Sequence, residues 1–135
     1  MIDKVGLLTI RADKVLLCRK KHGHSLLILP GGKREAGESS LECLARELRE
    51  ELGHVTAVSP ELVDTYVYAA AAAKGKMVRV ELYRAGLAGD PQAHSEIGEL
   101  VWFGAKDDQS LLAPSLTFLI FPDLIKRGIL HWPTV

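Results

Sequence analysis

Glu47, Glu50 and Glu51 stand i, i+3 and i+4 apart, the spacing that places side chains on one face of an α-helix. Leu44, Leu48 and Leu52 run beside them as an apolar stripe. The leucines bury, so the glutamates line a groove at the edge of a core. Helix stability gives no reason for such a cluster. Like charges at i,i+4 cost roughly 0.2–0.5 kcal/mol per pair. Glu50 and Glu51 also fall in the last turn, where the helix dipole disfavours anions by about 0.3–1 kcal/mol each. A divalent cation reverses that sign. Mg²⁺ takes hard oxygen ligands and keeps several waters, so two or three carboxylates make a site for it. The competing reading is a solvated charged face, with Arg46 pairing Glu42 or Glu50. Glu38, just ahead of the helix, can fold back to the same place.

The elements that would position these residues follow from pattern. Ser39 can cap the helix, and Glu42 three residues on completes a capping box. Leu41, Leu44, Ala45, Leu48 and Leu52 fall on one helical face, and Gly53 supplies a left-handed residue at the end. Val5 to Ile10 and Val15 to Arg19 read as strands joined by a tight turn at Ala12-Asp13-Lys14. Lys20 to Ser25 is a basic loop holding His22 and His24; two histidines without further nitrogen or sulfur ligands read as surface residues. Leu26 to Leu29 reads as a short strand stopped by Pro30-Gly31-Gly32. Val55 to Val58, Leu62 to Ala70, Met77 to Arg84 and Leu100 to Phe103 are strand-like. The alanine run Ala69 to Ala73 belongs to the end of a strand rather than to a linker. Pro114 to Arg127 is helical in pattern, interrupted or kinked at Pro122 and ended by Gly128. Strands around two helical segments predict an α/β fold: a mixed sheet with helices on its faces.

The bulk properties narrow the partners. The chain has 135 residues, the size of one domain spanning 1–135. Lys+Arg and Asp+Glu both count 17. That balance gives no broad electrostatic grip on a nucleic acid polymer, but leaves room for a small anion held locally. No apolar run approaches the ~20 residues that span a bilayer, and the N-terminus lacks a secretory pattern. Cys18 and Cys43 have no metal-type spacing and read as buried thiols of a cytoplasmic protein, monomeric or homodimeric. Neither a P-loop nor a G-x-S-x-G element is present, so no covalent intermediate is implied.

Read in order, the chain gives Gly32, five residues, Glu38, seven residues, then Arg46-Glu47-Leu48-Arg49-Glu50-Glu51-Leu52-Gly53. This resembles the Nudix box, G-x5-E-x7-R-E-U-x-E-E-x-G-U, with U a bulky apolar residue. Every fixed position matches. At ordinary residue frequencies a chance match is on the order of one in a million. The final U is His54, read as a ring tucked against the core. Ser95 to Phe103 resembles the acidic turn and aromatic strand that follow the box. The resemblance implies an α/β/α sandwich with a catalytic loop–helix–loop that binds Mg²⁺ or Mn²⁺. It implies Glu50 and Glu51 as main ligands, Glu47 as a ligand or the general base, and the Gly31 carbonyl as a further ligand. Arg46 would orient a glutamate. Some members place the base on a later loop, where Glu99, and less directly Glu96, stand.

Substrate contacts are less marked. Arg19, Lys33, Arg34 and Arg79 are the cations available for phosphates, each equally readable as surface charge. Tyr66, Tyr68, Tyr83, Trp102 and Phe103 are available for a base. Pro114 and Ser115, entering the last helix, resemble in placement the edge of the base pocket of MutT-type enzymes. The proline that marks ADP-ribose pyrophosphatases falls at Ala70. The tyrosine of diadenosine polyphosphate hydrolases falls in the alanine run. The resemblance therefore points to a nucleoside triphosphate, oxidised ones included, giving NMP and pyrophosphate. ADP-sugar or dinucleoside polyphosphate hydrolysis is the alternative, and a non-catalytic nucleotide sensor the alternative of another class.

Overall fold

A computed structural model describes residues 1–22, 26–70 and 73–133. His24, Ser25, Ala71 and Ala72, part of the basic loop and of the alanine run, lie outside them. Two sheets form its centre. The first orders its strands β4 (Gly31–Lys33), β1 (Ile2–Leu8), β6 (Met77–Ala88), β5 (Thr56–Ala69). β1 runs parallel to β6 and antiparallel to β4, so this sheet is mixed. The second is antiparallel: β2 (Ile10–Arg11), β3 (Lys14–Lys20), β7 (Ile97–Phe103). β2 and β3 meet across Ala12 and Asp13, both at positive φ (49° and 60°), as a two-residue hairpin loop requires.

Alternation along the strands builds two cores. Val5, Leu7 and Leu16 face one way, with Cys43, Leu44, Leu48 and Leu52 of α1 (Ser40–Leu52). Leu8, Val15, Leu17, Val80, Leu82 and Phe103 face the other, with Phe121 and Leu124 of α2 (Phe121–Lys126). The result is the α/β/α sandwich, with α1 and α2 on opposite faces.

The predicted capping box is formed. Ser39 Oγ accepts the Glu42 N–H at 3.1 Å, and Glu42 Oε1 accepts the Ser39 N–H at 2.9 Å. The buried face differs from the expected one. Leu41 is 48 % exposed, while Cys43 is buried with its thiol 3.6 Å from the Lys33 carbonyl. The helix is rolled towards β4, the strand that carries Gly31 and Gly32. Gly53 takes positive φ (84°) with ψ −143°, outside the left-handed helical region. His54 is exposed, and Val55 takes the apolar place expected of it.

Three element boundaries also moved. Leu26 to Leu29 forms only isolated bridges, Cys18 with Ile28 and Leu27 with Leu112. Its apolarity signals burial rather than pairing, and the paired segment is Gly31–Lys33, where a stop was expected. Val55 to Val58 and Leu62 to Ala70 are one strand. Its register shifts around Ser59 (φ 51°) and Pro60, a bulge where proline's missing N–H costs no ladder bond. Pro122 does not interrupt the last helix. Leu116–Ile120 winds as a π-helical turn in which the Phe121 N–H donates to the Leu116 carbonyl. The wider turn accommodates the residue that cannot donate. The chain end returns across the second core, where the Trp132 indole N–H donates to the Asp13 carbonyl at 2.6 Å.

The cap carries the register of α1, and hence of its glutamates. Ser39→Ala is expected to lower stability by about 1 kcal/mol. Thermal unfolding of the variant against wild type measures it.

Candidate metal and active site

Arg46 is the hub of the glutamate cluster. Its Nε donates to Glu38 Oε2 at 2.6 Å and its Nη2 to Glu38 Oε1 at 2.9 Å. Nη1 reaches Glu47 Oε1 at 3.0 Å and Glu50 at 3.4 Å, and Nη2 also donates to the Lys33 carbonyl at 3.0 Å. The hydrogen bond from Arg46, followed by the backbone N–H of Glu35, holds the Glu38 carboxyl down at about 2. Glu38 thus works as the counter-charge that fixes Arg46, and Arg46 fixes Glu47.

Two glycines let α1 approach β4. A Cβ on Gly32 would lie 2.5 Å from both oxygens of the Glu47 carboxylate. A Cβ on Gly31, whose φ is +139°, would strike the Val5 carbonyl oxygen. The Gly31 N–H donates to Glu51 Oε1 at 2.8 Å. This close packing strips water from the carboxylates. Burial pushes the Glu51 carboxyl up to about 7, against the opposing hydrogen bond from Gly31. Burial also raises Glu47, against Arg46. Glu50, with its side chain 53 % exposed, sits on the same face nearer solvent.

Among the described residues no three Asp, Glu, His or Cys groups are gathered as a finished metal cage. Glu51 is turned to Gly31, and Glu47 and Glu50 to Arg46. The donor chemistry nevertheless fits a hard divalent ion. Two half-buried carboxylates have their charged forms penalised by desolvation, and a third oxygen donor stands beside them. A cation offsets that penalty, where structural packing alone would have replaced the charges.

The other sequence candidates are dispersed. Arg19 pairs with Glu99 at 2.8 Å. The two lie one pleat beyond Leu17 and Val101, on the same face of the sheet as the α2 core, and Glu99 is taken up by a guanidinium. The charges acting most on Glu51 are Glu47, Lys20 and Glu50. Arg34 is a clamp rather than an open phosphate ligand. It donates to Asp3 at 3.1 Å, to Ser40 at 2.8 Å and to Glu81 at 2.8 Å, tying the box loop to β1, β6 and the start of α1. Arg79 stands 3.8 Å from Asp3 and 3.9 Å from Glu81, on the same side as that clamp. Tyr66 is buried in the α2 core with its hydroxyl donating to Asp123 at 2.6 Å. Its ring is therefore a packing group, not the wall of an open base slot. Pro114 and Ser115 do enter the last helix, with Ser115 beside the half-buried Tyr68. Lys33 lies on β4, in register with Lys4.

Lys4 and Lys20 were not picked out from the sequence, yet both act on Glu51. Lys20 extends β3 beyond its apolar run. Lys4 precedes Val5, where the apolar signal begins, so pairing rather than hydropathy puts it in β1.

Two outcomes follow. Gly32→Ala meets the mobile end of Glu47 rather than backbone, so the fold should persist while the carboxylate is displaced. A loss of at least about 100-fold in turnover with an unchanged circular dichroism spectrum is expected. The metal-free chain should also lose stability as pH rises. Glu51 is raised in the folded state, so the folded chain binds more protons than the unfolded one between the ordinary glutamate value and about 7. Melting temperature in chelator should fall across that window, and Glu51→Gln should flatten the fall.

Known proteins share the sequence pattern and the fold. The NUDIX domain family pattern matches residues 2–114. The chain is 29 % identical over 123 residues to the uncharacterized Nudix hydrolase YvcI of Bacillus subtilis, covering 88 % of this chain and 77 % of that protein. Its structure resembles the E. coli ORF135 protein at 28 % identity and TM-score 0.73, over 95 % of this chain and 92 % of that one. It also resembles a MutT NUDIX hydrolase of Burkholderia pseudomallei at 24 % identity and TM-score 0.75, over 98 % of each chain. The family match over residues 2–114, with every fixed box position present along the loop and α1, places the chain in the Nudix hydrolase family, enzymes that act on pyrophosphate bonds.

Proposed function

We propose that this chain is a Mg²⁺-dependent pyrophosphohydrolase of nucleoside triphosphates, oxidised ones included, producing NMP and pyrophosphate. The observation that carries the reading is the pair of half-buried carboxylates, Glu47 and Glu51, packed on Gly32 and Gly31 with Glu50 beside them. Glu47, Glu50, Glu51 and the Gly31 carbonyl would hold the ion, and Mn²⁺ suits the same oxygen donors. Bound there, the ion supplies charge neutralisation at the phosphates and a more acidic water.

The chain's own groups do the rest. Arg46, pinned by Glu38, keeps the Glu47 carboxylate aligned. A carboxylate whose proton affinity is raised towards neutrality is suited to accept the proton of the attacking water. Glu47, which burial raises and Arg46 aligns, is the box carboxylate for that task where Glu50 and Glu51 are spent on the ion. Glu99 spends its charge on Arg19, so the acceptor is sought in the box first. Water then attacks phosphorus in line, and the anhydride oxygen leaves with the departing phosphate. The sensor reading is disfavoured because the box glutamates are intact and desolvated.

The test is release of phosphate or pyrophosphate from a panel, with Mg²⁺ or with chelator. The panel holds nucleoside triphosphates (oxidised ones among them), ADP-ribose, nucleotide sugars and dinucleoside polyphosphates. Triphosphates should turn over fastest, chelator should abolish turnover, and Glu51→Gln should cut it by at least about 100-fold. Turnover of ADP-ribose or a dinucleoside polyphosphate alone would replace the substrate. Undiminished activity in chelator would refute the mechanism.

A further inference from the structure

β1 carries a lysine at a position where its neighbours across the sheet are mostly apolar. Lys4 is in register with Lys33 of β4 on one side and with Val80 of β6 on the other, and Val80 in turn with Tyr66 of β5. Val80 and Tyr66 belong to the core beneath α2. Lys4 is half-buried, and among the described residues it forms no ion pair. Two residues along β1, Gly6 faces Gly31, whose N–H holds Glu51. The charges acting on Lys4 are Lys20, Lys33, Glu51 and Glu47. Both glutamates already have nearer partners, Gly31 and Arg46. Three ammonium groups thus share a neighbourhood without an anion of their own. A fold gains nothing from that arrangement, because the half-burial of Lys4 and its repulsion by the exposed Lys20 and Lys33 both count against it.

The missing charge is the substrate's. We propose that Lys4, with Lys20 and Lys33 beside it, seats the terminal phosphate of a polyphosphate tail next to the glutamate-lined side of the site. The residue thereby selects substrates with a free terminal phosphate, nucleoside triphosphates, over diphosphates capped by a sugar. A capped diphosphate has about two negative charges, both next to the ion. A free third phosphate adds up to about two more, and these are what the lysines match. The inference rests on the pyrophosphohydrolase reading for its place in catalysis, but the phosphate seat can be tested apart from it.

The probe is inorganic tripolyphosphate, titrated calorimetrically into the metal-free full chain, with wild type, Lys4→Met, Lys4→Arg and Lys20→Met compared. Lys4→Met should weaken binding at least about tenfold, Lys4→Arg should restore it to within about threefold, and Lys20→Met should weaken it several-fold. Melting curves show whether each variant is folded; Lys4→Arg and Lys20→Met keep the question open to test if Lys4→Met is not. In turnover, Lys4→Met should raise KM for a nucleoside triphosphate about tenfold with kcat within about threefold, and leave KM for ADP-ribose nearly unchanged. Wild-type affinity for tripolyphosphate in folded Lys4→Met, or an equal rise in both KM values, overturns the proposal. Loss of tripolyphosphate binding in a chain that hydrolyses nothing on the panel supports the seat while refuting the catalytic reading.

Discussion

The site depends on one close approach, the Glu47 carboxylate lying against the bare backbone of Gly32. It requires a strand without side chains on that side, a helix rolled towards it, and an arginine to hold the carboxylate in place. Each of these is present for a visible reason. Gly31 and Gly32 pair with Gly6 and Val5 at the sheet edge. Cys43, small enough to sit under the loop, lets α1 close on β4. Arg46 is saturated by Glu38, Glu47, Glu50 and the Lys33 carbonyl, so it has one orientation to adopt.

The same approach creates the electrostatic problem on which the proposed function rests. Packing two carboxylates against backbone removes water that stabilised their charge, and only one N–H and one guanidinium are offered in return. A structure selected for stability alone would place apolar groups here. Several acidic groups of the surrounding strands and of α2 are paired away from the site. Asp3 and Glu81 are occupied by Arg34, Glu99 by Arg19, and Asp64 and Asp123 by Arg127. Glu47 and Glu51, half-buried with their charged forms penalised by desolvation, and the half-buried Lys4 near them stand apart from these pairs.

The clamp around Arg34 shows how the loop is kept from collapsing onto its own helix. Arg34 reaches β1, β6 and the first turn of α1 at once, and Ser40 Oγ donates onward to Glu81 at 2.7 Å. The loop between β4 and α1 is thus fixed at both ends, by β-pairing and by this network. The fold supplies rigidity where the box supplies carboxylates.

The box was legible because its chemistry is local. Ser39, Glu42, Arg46 and the three glutamates act through helical spacing, which the order of residues states directly. The sandwich was legible from strand alternation around two helical segments. What the sequence left open depended on partners far along the chain. Arg34 and Tyr66 carry the same side chains whether they meet substrate or meet Glu81 and Asp123; only the packing of β6 and α2 decided between them. Gly31–Lys33 read as a stop until β1 paired with it, and His54 read as core until Val55 filled the place. Lys4 gave no sign in composition or period. Its meaning arises because a parallel pairing of β1 with β6 and an antiparallel one with β4 bring it beside Lys33 and near Glu51, a coincidence of register that no local pattern encodes.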